Sequence, residues 1–296
     1  MPDRAFSIVV PTFNAAATLA RALDSLAAQD WPRLEVIVID GGSTDATVAI
    51  AEGYRPLVTV IVSEPDAGPA DALNKGFARA TGDLLGWLGS DDELAPGALR
   101  DVASVFASAA CDVIAGACER VYPDGTRAVT RPGPAALAHL TWRNEFDQPA
   151  LFWRRALIER AGPLDTGLRL AFDWDLWCRF KRDNARFAYT PALLARYHFP
   201  AGSLTSTGGR VHAEESFEVI RRHGPYRGRL AYLYRWLYRR YDLAGCYDSP
   251  PACGRLRLAE HRVVRRVLRA VAGRTLVDGY NWGFASKQER GLPWWR

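Results

Sequence analysis

Trp87-Leu-Gly-Ser-Asp-Asp-Glu93 is the stretch on which the reading turns. The apolar run from Leu84 to Leu88 has the continuous hydrophobicity of a buried strand. It delivers two adjacent carboxylates, Asp91 and Asp92, into a turn closed by Pro96. Two carboxylates side by side repel each other unless a cation or donors stand between them. Hard oxygen ligands suit Mg²⁺ or Mn²⁺, which keep several waters and also bind phosphates. The plainer use of an Asp-Asp turn is a helix cap on solvated surface. The stretches upstream favour the first use.

Working back from that turn, short apolar runs alternate with helical patterns. Phe6 to Val10 reads as a strand ending at Pro11. From Thr18 to Ala28, Leu19, Ala22, Leu23 and Leu26 share one helical face. Glu35 to Ile39 is a second strand, closing at Asp40, and the turn residues Gly41, Gly42 and Ser43 lead into a helix from Asp45 to Glu52. Val58 to Val62 is a third strand and Asp71 to Ala80 a third helix. Such alternation implies an α/β fold: a mostly parallel sheet with helices on both faces. Ligands bind beyond the carboxyl ends of strands in such sheets. The polar residues gather at those ends: Thr12 and Asn14, Asp40 and Ser43, Glu64 and Asp66, Asp91 and Asp92. A carboxylate at Asp40 can accept from a base or ribose, or simply cap a turn.

Downstream, a helix runs from Pro96 to about Ser108, followed by a strand from Asp112 to Ala117 and a hairpin around Pro123-Asp-Gly125. Arg131 to Phe146 is irregular. Ala150 to Trp153 and Arg186 to Tyr189 read as strands around a helix from Asp173 to about Lys181. Tyr197 to Gly209 reads as loop. From Val211 the pattern is helical, broken at Pro250-Pro251, with a basic amphipathic segment from about Leu256 to Ala272.

Composition excludes disordered and fibrous classes: 296 residues are 48% hydrophobic and 24% charged. Five cysteines form no CxxC pair and no zinc spacing, which implies reduced thiols in the cytosol. Neither a secretory leader nor the ~18–20 apolar residues of a spanning helix is found, so a cytoplasmic place is expected, with peripheral contact at the inner face of the cell membrane. The formal charge of +5 is uneven: from Arg221 to Arg296 there are 17 Lys/Arg against 5 Asp/Glu. This suits a solvated basic face, anionic lipid or a polyanion. No nucleic-acid recognition motif of the usual types is present, so no nucleic-acid partner is expected. The first strand is followed by neither GxGxxG nor a Walker loop, which sets aside dehydrogenases and P-loop enzymes.

Pro11-Thr-Phe-Asn14, Val38-Ile-Asp-Gly-Gly-Ser-Thr-Asp45 and Ser63-Glu-Pro-Asp-Ala-Gly68, with Asp71-Ala-Leu-Asn-Lys-Gly76, Ala80-Thr-Gly82 and Leu88-Gly-Ser-Asp-Asp92, resemble glycosyltransferase family 2, of the GT-A fold. The resemblance covers about residues 5–200. It implies an inverting enzyme that moves a sugar from a nucleoside diphosphate sugar, most commonly a UDP-sugar, to a hydroxyl acceptor with help from Mn²⁺ or Mg²⁺. The acceptor would be a saccharide or lipid-linked molecule of bacterial surface polysaccharide or glycolipid synthesis. A non-catalytic nucleotide-sugar or glycan-binding module of the same fold is the alternative.

By that resemblance, Pro11, Thr12, Asn14, Asp40 and Ser43 line the nucleotide pocket, with Asp66, Asp71, Asn74, Lys75 and Ser90 near the ribose, sugar or phosphates. Asp91 stands at the metal end of an Asp-any-Asp motif in which Gly89 replaces the first acid, and Asp92 shares or orients the metal. His198 lies in a segment similar to the family loop that closes over the diphosphate, so it joins the metal set, and Ser203 can donate to a phosphate there. Asp173, in Ala171-Phe-Asp-Trp-Asp-Leu-Trp177, corresponds to the acid that deprotonates the acceptor, with Asp175 second. Gln148 and Trp174 fall on the acceptor side. Trp153, Trp174 and Trp177 suit sugar stacking or core packing. The implied domains are catalytic, 1–210, with donor binding in about 1–110 and acceptor binding in about 111–210, and a basic helical extension, 211–296.

Overall fold

The expected strands and helices of the first third all form. The structure, a computed structural model, describes residues 4–200, 202–278 and 283–295. Ala201 of the expected loop and Arg296 of the basic segment lie outside the described residues. β1 (Phe6–Thr12) is buried on both faces, as a central parallel strand must be. α1 (Leu19–Ala27) turns Leu19, Ala22, Leu23 and Leu26 into the core. β2 (Leu34–Asp40), α2 (Thr47–Gly53), β3 (Val58–Ser63), α3 (Pro69–Phe77) and β4 (Leu84–Trp87) follow. α3 opens on Pro69, at a position where the missing N–H costs nothing. Gly76 lets α3 lie against β1, since a Cβ there would overlap Val9.

β1 pairs in parallel with β2 and β4, and β2 with β3. The carboxyl ends of these four strands therefore share one edge. In register, Thr12 stands beside Asp40, and Asp40 beside Ser63.

The chain continues through β5 (Glu93–Leu94), α4 (Ala98–Ser108), β6 (Val113–Val121), β7 (Arg127–Thr130), α5 (Pro134–His139), β8 (Leu151–Arg154), α6 (Arg155–Ala161), α7 (Phe172–Arg182) and β9 (Phe187–His198). Among the described residues the nine strands form one sheet, in the order β3-β2-β1-β4-β8-β6-β9-β5, with β7 on β6. β8 runs antiparallel to both β4 and β6, which makes the sheet mixed.

Two expectations are corrected here. The strand expected to end at Tyr189 runs on to His198, so Tyr197 and His198 are sheet residues and not loop. Pro191 does not stop it, because register shifts on either side of Ala117 in β6 bulge the pairing past that residue. α5 and α6 also lie where irregular chain, or nothing, was expected.

The chain divides into two compact units, Met1–Leu137 with Glu145–Pro200, and Ala138–Asn144 with Ala201–Arg296. The sheet belongs to the first. The second contains α8 (Leu204–Thr207), α9 (Gly209–His223), α10 (Leu230–Leu237), α11 (Arg255–Ala272), α12 (Arg274–Asp278) and α13 (Phe284–Glu289). Tyr234, Tyr238 and Tyr241 are fully buried within it. The expectation of reduced thiols fails at one pair. The turn around Pro250-Pro251 brings the Cα atoms of Cys246 and Cys253 to 5.0 Å, and their sulfurs are bonded. Cys111, Cys118 and Cys178 are buried and take no part in a disulfide.

Candidate active site

The turns after β1 and β2 are laced together by short polar side chains. Asn14, in the left-handed region at φ 48°, accepts from the Thr44 N–H at 3.0 Å and donates its own N–H to Ser43 Oγ at 2.7 Å. Asp45 accepts from the Ala16 N–H at 3.1 Å and caps the chain entering α2 through Thr47. Asp40 is buried at the centre. Its carboxylate accepts from the hydroxyls of Thr12, Ser43 and Ser63 and from the N–H groups of Gly42 and Ser43. Burial works to raise its pKa, but the Ser43 and Ser63 hydroxyls and the two N–H groups outweigh it and hold the carboxyl below its usual value. Asp40 is thus an ionised staple for three strand ends.

Asp66 leans over this turn. A Cβ on Gly41 would stand 2.7 Å from its Oδ2, while Oδ1 accepts from the Gly68 N–H at 2.8 Å. Lys75 is ringed by Glu64 at 3.0 Å and Asp71 at 3.4 Å, and donates to the Pro65 carbonyl at 3.1 Å. Asn74 sits differently from the rest of this set. Its amide forms a reciprocal pair with the backbone of Leu164, at 2.9 and 2.8 Å, which joins α3 to the chain before α7.

The acid turn is built on the neighbouring strand. The Leu88 N–H bonds the Val9 carbonyl at 3.0 Å, so the chain leaves β4 alongside β1. Gly89 and Ser90 follow, both half-buried. A Cβ on Gly89 would lie 2.8 Å from Asp92 Oδ2 and 3.0 Å from Asp91 Oδ1. Both carboxylates therefore face the space that glycine leaves open. Burial raises the Asp91 pKa against the pull of Arg21 and His198. Burial and then the Asp91 charge push Asp92 well above its usual value.

The turn is held from two sides. Arg21 on α1 donates to the Asp91 carbonyl at 2.6 Å and approaches Glu93 at 3.3 Å. From β9, the His198 N–H reaches Asp92 Oδ1 at 2.9 Å and the imidazole Nε2 meets Glu93 at 2.8 Å. Burial and Arg21 lower the His198 pKa below its usual value despite Glu93, so the ring is neutral at pH 7. A carboxylate can only accept, so the proton sits on Nε2 and Nδ1 keeps its lone pair. Among the described residues, no three His, Cys, Asp or Glu side chains close around a metal ion by themselves. The donor set of two carboxylates and an imidazole backed by a carboxylate nonetheless fits a Mn²⁺ or Mg²⁺ that takes its remaining ligands from phosphate and water.

The acceptor-side residues divide. Gln148 donates to the Trp87 carbonyl at 2.7 Å, which fixes it beside the acid turn. Phe172, at the start of α7, packs its ring 6.3 Å from that of Trp87, so Asp173 enters α7 next to the same strand end. Asp173 is half-buried in the first helical turn, where the dipole favours its charge. Asp175 is 3% exposed and paired with Arg179 at 2.9 Å, which makes it a structural ion and not a base open to substrate. Trp153 and Trp177 are fully buried core, Trp177 stacked on Trp87 and Trp153 edge-on to it, and Trp174 is 6% exposed. Ser203, in the second unit, accepts from the Ser206 N–H and caps α8.

Arg21, Glu93 and Phe13 escaped the sequence reading. Arg21 carried no local signal, because its carbonyl partner lies 70 residues away. Phe13 did carry one: an aromatic residue inside a polar turn, 64% exposed beside Asn14.

Comparison with known proteins yields one consistent result. The profile of Glycosyl transferase family 2 matches residues 7–162. A PGL/p-HBAD biosynthesis glycosyltransferase of Mycobacterium tuberculosis is 34% identical over 226 residues, 73% of this chain and 83% of its own. The succinoglycan biosynthesis protein ExoO of Rhizobium meliloti is 30% identical over 69% of this chain and 63% of its own. Among solved structures, the mannosyltransferase PcManGT of Pyrobaculum calidifontis, in complex with GDP-Man and Mn²⁺, has a TM-score of 0.63 at 21% identity, covering 97% and 86% of the two chains. Residues 1–349 of S. aureus TarS, in complex with UDP-GlcNAc, score 0.58 at 19% identity over 97% and 92%. This chain spans 43% of the longer TarS chain. At these identities the structural likeness speaks for the fold.

Proposed function

Because this chain belongs to glycosyl transferase family 2, we propose that it transfers one sugar, with inversion, from a nucleoside diphosphate sugar to a hydroxyl acceptor. The observation that carries the reading is the turn after β4, where Asp91 and Asp92 face one opening at the carboxyl edge of the sheet and resist ionising there. The donor would lie across that edge. Thr12, Asn14, Asp40 and Ser43 shape the nucleotide end, and Asp66 and Lys75 stand on the adjoining loop.

A divalent cation would be held by Asp91, Asp92 and His198 and would stabilise the charge of the departing diphosphate as a Lewis acid. Asp173 takes the proton from the acceptor hydroxyl. It stands half-buried in the first turn of α7, open enough to meet an acceptor hydroxyl. Attack from the face away from the diphosphate gives a single in-line displacement and inversion. Gln148 borders the acceptor side.

The relatives' names place them in PGL/p-HBAD and succinoglycan biosynthesis. That likeness supports a saccharide or lipid-linked acceptor of bacterial glycolipid or surface polysaccharide synthesis. The structures similar in fold hold UDP-GlcNAc and GDP-Man, and a UDP-sugar is the first donor to try. Calorimetric titration of a panel of nucleoside diphosphates, with and without Mn²⁺, tests the reading. At least one is expected to bind in a Mn²⁺-dependent way; failure of every member would sink it.

A further inference from the structure

α11 (Arg255–Ala272) turns an apolar stripe outward. Leu256, Val263, Val267 and Val271 recur at helical spacing along one line and are 89%, 62%, 55% and 81% exposed. The opposite face docks on its own unit: His261 is buried between the rings of Tyr241 and Tyr247, at 5.0 and 4.4 Å. A helix that only packed on a domain would turn its valines toward that side. About a third of a turn around the helix from the stripe, Arg255, Arg262, Arg266 and Arg269 form a second line at helical spacing, with Arg269 paired to Asp278 at 2.8 Å. Among the described residues Arg255, Arg262, Arg266 and Arg274 form no ion pair. An open cleft of about 530 Å³ is lined by His261, Arg262, Arg265, Arg266, Arg269, Ala270 and Arg274, of which Arg265 and Arg269 pair with Asp278. On the other border of the stripe, Trp236 is 46% exposed and leans on Tyr241, whose hydroxyl bonds Glu260 at 2.8 Å, one turn before Val263.

We propose that α11 is an interfacial membrane helix that seats its Leu256–Val271 stripe at the acyl boundary of an anionic phospholipid surface, with the arginine row and cleft on the lipid phosphates. Charge selects this occupant. A second copy would set one arginine row against another, and a nucleic acid has no use for four bare aliphatic side chains. Among the described residues no helix is long and apolar enough to cross a membrane, so α11 lies in the interface plane. Arginine stems extend along apolar surface while their guanidinium groups reach the phosphates. The inference stands on this helix alone and does not depend on the reaction proposed above.

Sedimentation of the full chain with lipid vesicles tests it. Binding is expected to mixed phosphatidylcholine–phosphatidylglycerol vesicles, weakly if at all to phosphatidylcholine alone, and to fall with added salt. Arg262→Gln with Arg266→Gln should weaken partition by about 25-fold, at about fivefold per arginine. Val263→Asp with Val267→Asp should abolish it while the circular dichroism and melting temperature stay unchanged, since both side chains are exposed. The proposal fails if the parent protein ignores anionic vesicles, if the folded double variants bind as well as the parent, or if the valine variants instead dissolve a dimer seen by analytical ultracentrifugation.

Discussion

The backbone N–H of His198 donates to Oδ1 of Asp92 at 2.9 Å, across 106 residues of chain. The last residue of β9 thereby fixes one oxygen of a buried carboxylate and leaves the other facing the opening over Gly89. The imidazole of the same residue is itself oriented by Glu93. Rigid backing of this kind holds a polar site ready before its ligand arrives. It also concentrates negative charge where burial disfavours it, and the first prediction follows from that conflict.

Asp92 in the folded chain is held well above the ordinary aspartate value of 3.8, by burial first and by Asp91 second. The unfolded chain ionises near that ordinary value, so the folded state keeps the proton to higher pH. Stability contributed by the protonated group is present below the unfolded pKa and is lost as pH rises through the folded pKa. The melting temperature without cation should therefore fall as pH rises above about 4. Asp92→Asn should flatten that slope. A cation takes the ionised carboxylates, so Mn²⁺ should raise the melting temperature more at alkaline than at mildly acid pH. Scanning fluorimetry across pH, with and without Mn²⁺, reads all three. A slope unchanged in Asp92→Asn would remove Asp92 as its source.

Asp91→Asn and Asp92→Asn should each lower donor turnover by about 10²–10³ while the protein stays folded. Gly89→Ala is the sharper variant. Its Cβ would enter between the two carboxylates, 2.8 Å from one and 3.0 Å from the other, without removing either charge. Activity should fall and the Mn²⁺ concentration for half-maximal rate should rise. Wild-type Mn²⁺ dependence in Gly89→Ala would mean that the opening is not where the cation sits.

The elements around this turn were legible because each is local. β1, β2 and β3 are continuous apolar runs closed by a polar turn, and α1 shows its buried face at helical spacing within nine residues. The cluster of Asp40 with Ser43 could likewise be read from adjacent positions. What escaped depends on partners distant in sequence. β9 outlasts Pro191 only because it bulges there against β6. Asn74 looked like a donor-site residue, yet its amide is committed to Leu164, 90 residues on. Asp175 reads from the sequence as a second candidate behind Asp173, and only the structure shows its ion pair with Arg179.

Glu93 and His198 form a coupled pair, and their variants should differ in degree. His198→Ala removes an imidazole from the proposed cation set and should weaken Mn²⁺ binding in the presence of nucleoside diphosphate. Glu93→Gln leaves the ring in place and disturbs only its orientation, with an expected loss of about 10–100-fold. Titration followed by electron paramagnetic resonance of Mn²⁺ measures both. If neither variant shifts the affinity, His198 serves the fold through its backbone bond to Asp92 alone.

The two acids of α7 provide a test in which stability and catalysis separate. Asp175 is buried against Arg179, with side-chain exposures of 5% and 12%. Asp175→Asn strands a cation in the interior, and such a loss costs about 3–5 kcal/mol. Its signature should be a lower denaturation midpoint with donor hydrolysis per folded molecule preserved. Asp173 is half-buried, in the first turn of the same helix. Asp173→Asn should leave the denaturation midpoint near that of the parent and donor binding intact, while transfer to an acceptor falls by about 10²–10⁴ for loss of a general base. Urea titration, calorimetry with nucleoside diphosphate and a transfer assay on the same two preparations distinguish these outcomes. Were Asp173→Asn to transfer sugar at the parent rate, the base would have to be sought elsewhere along the Trp87 edge.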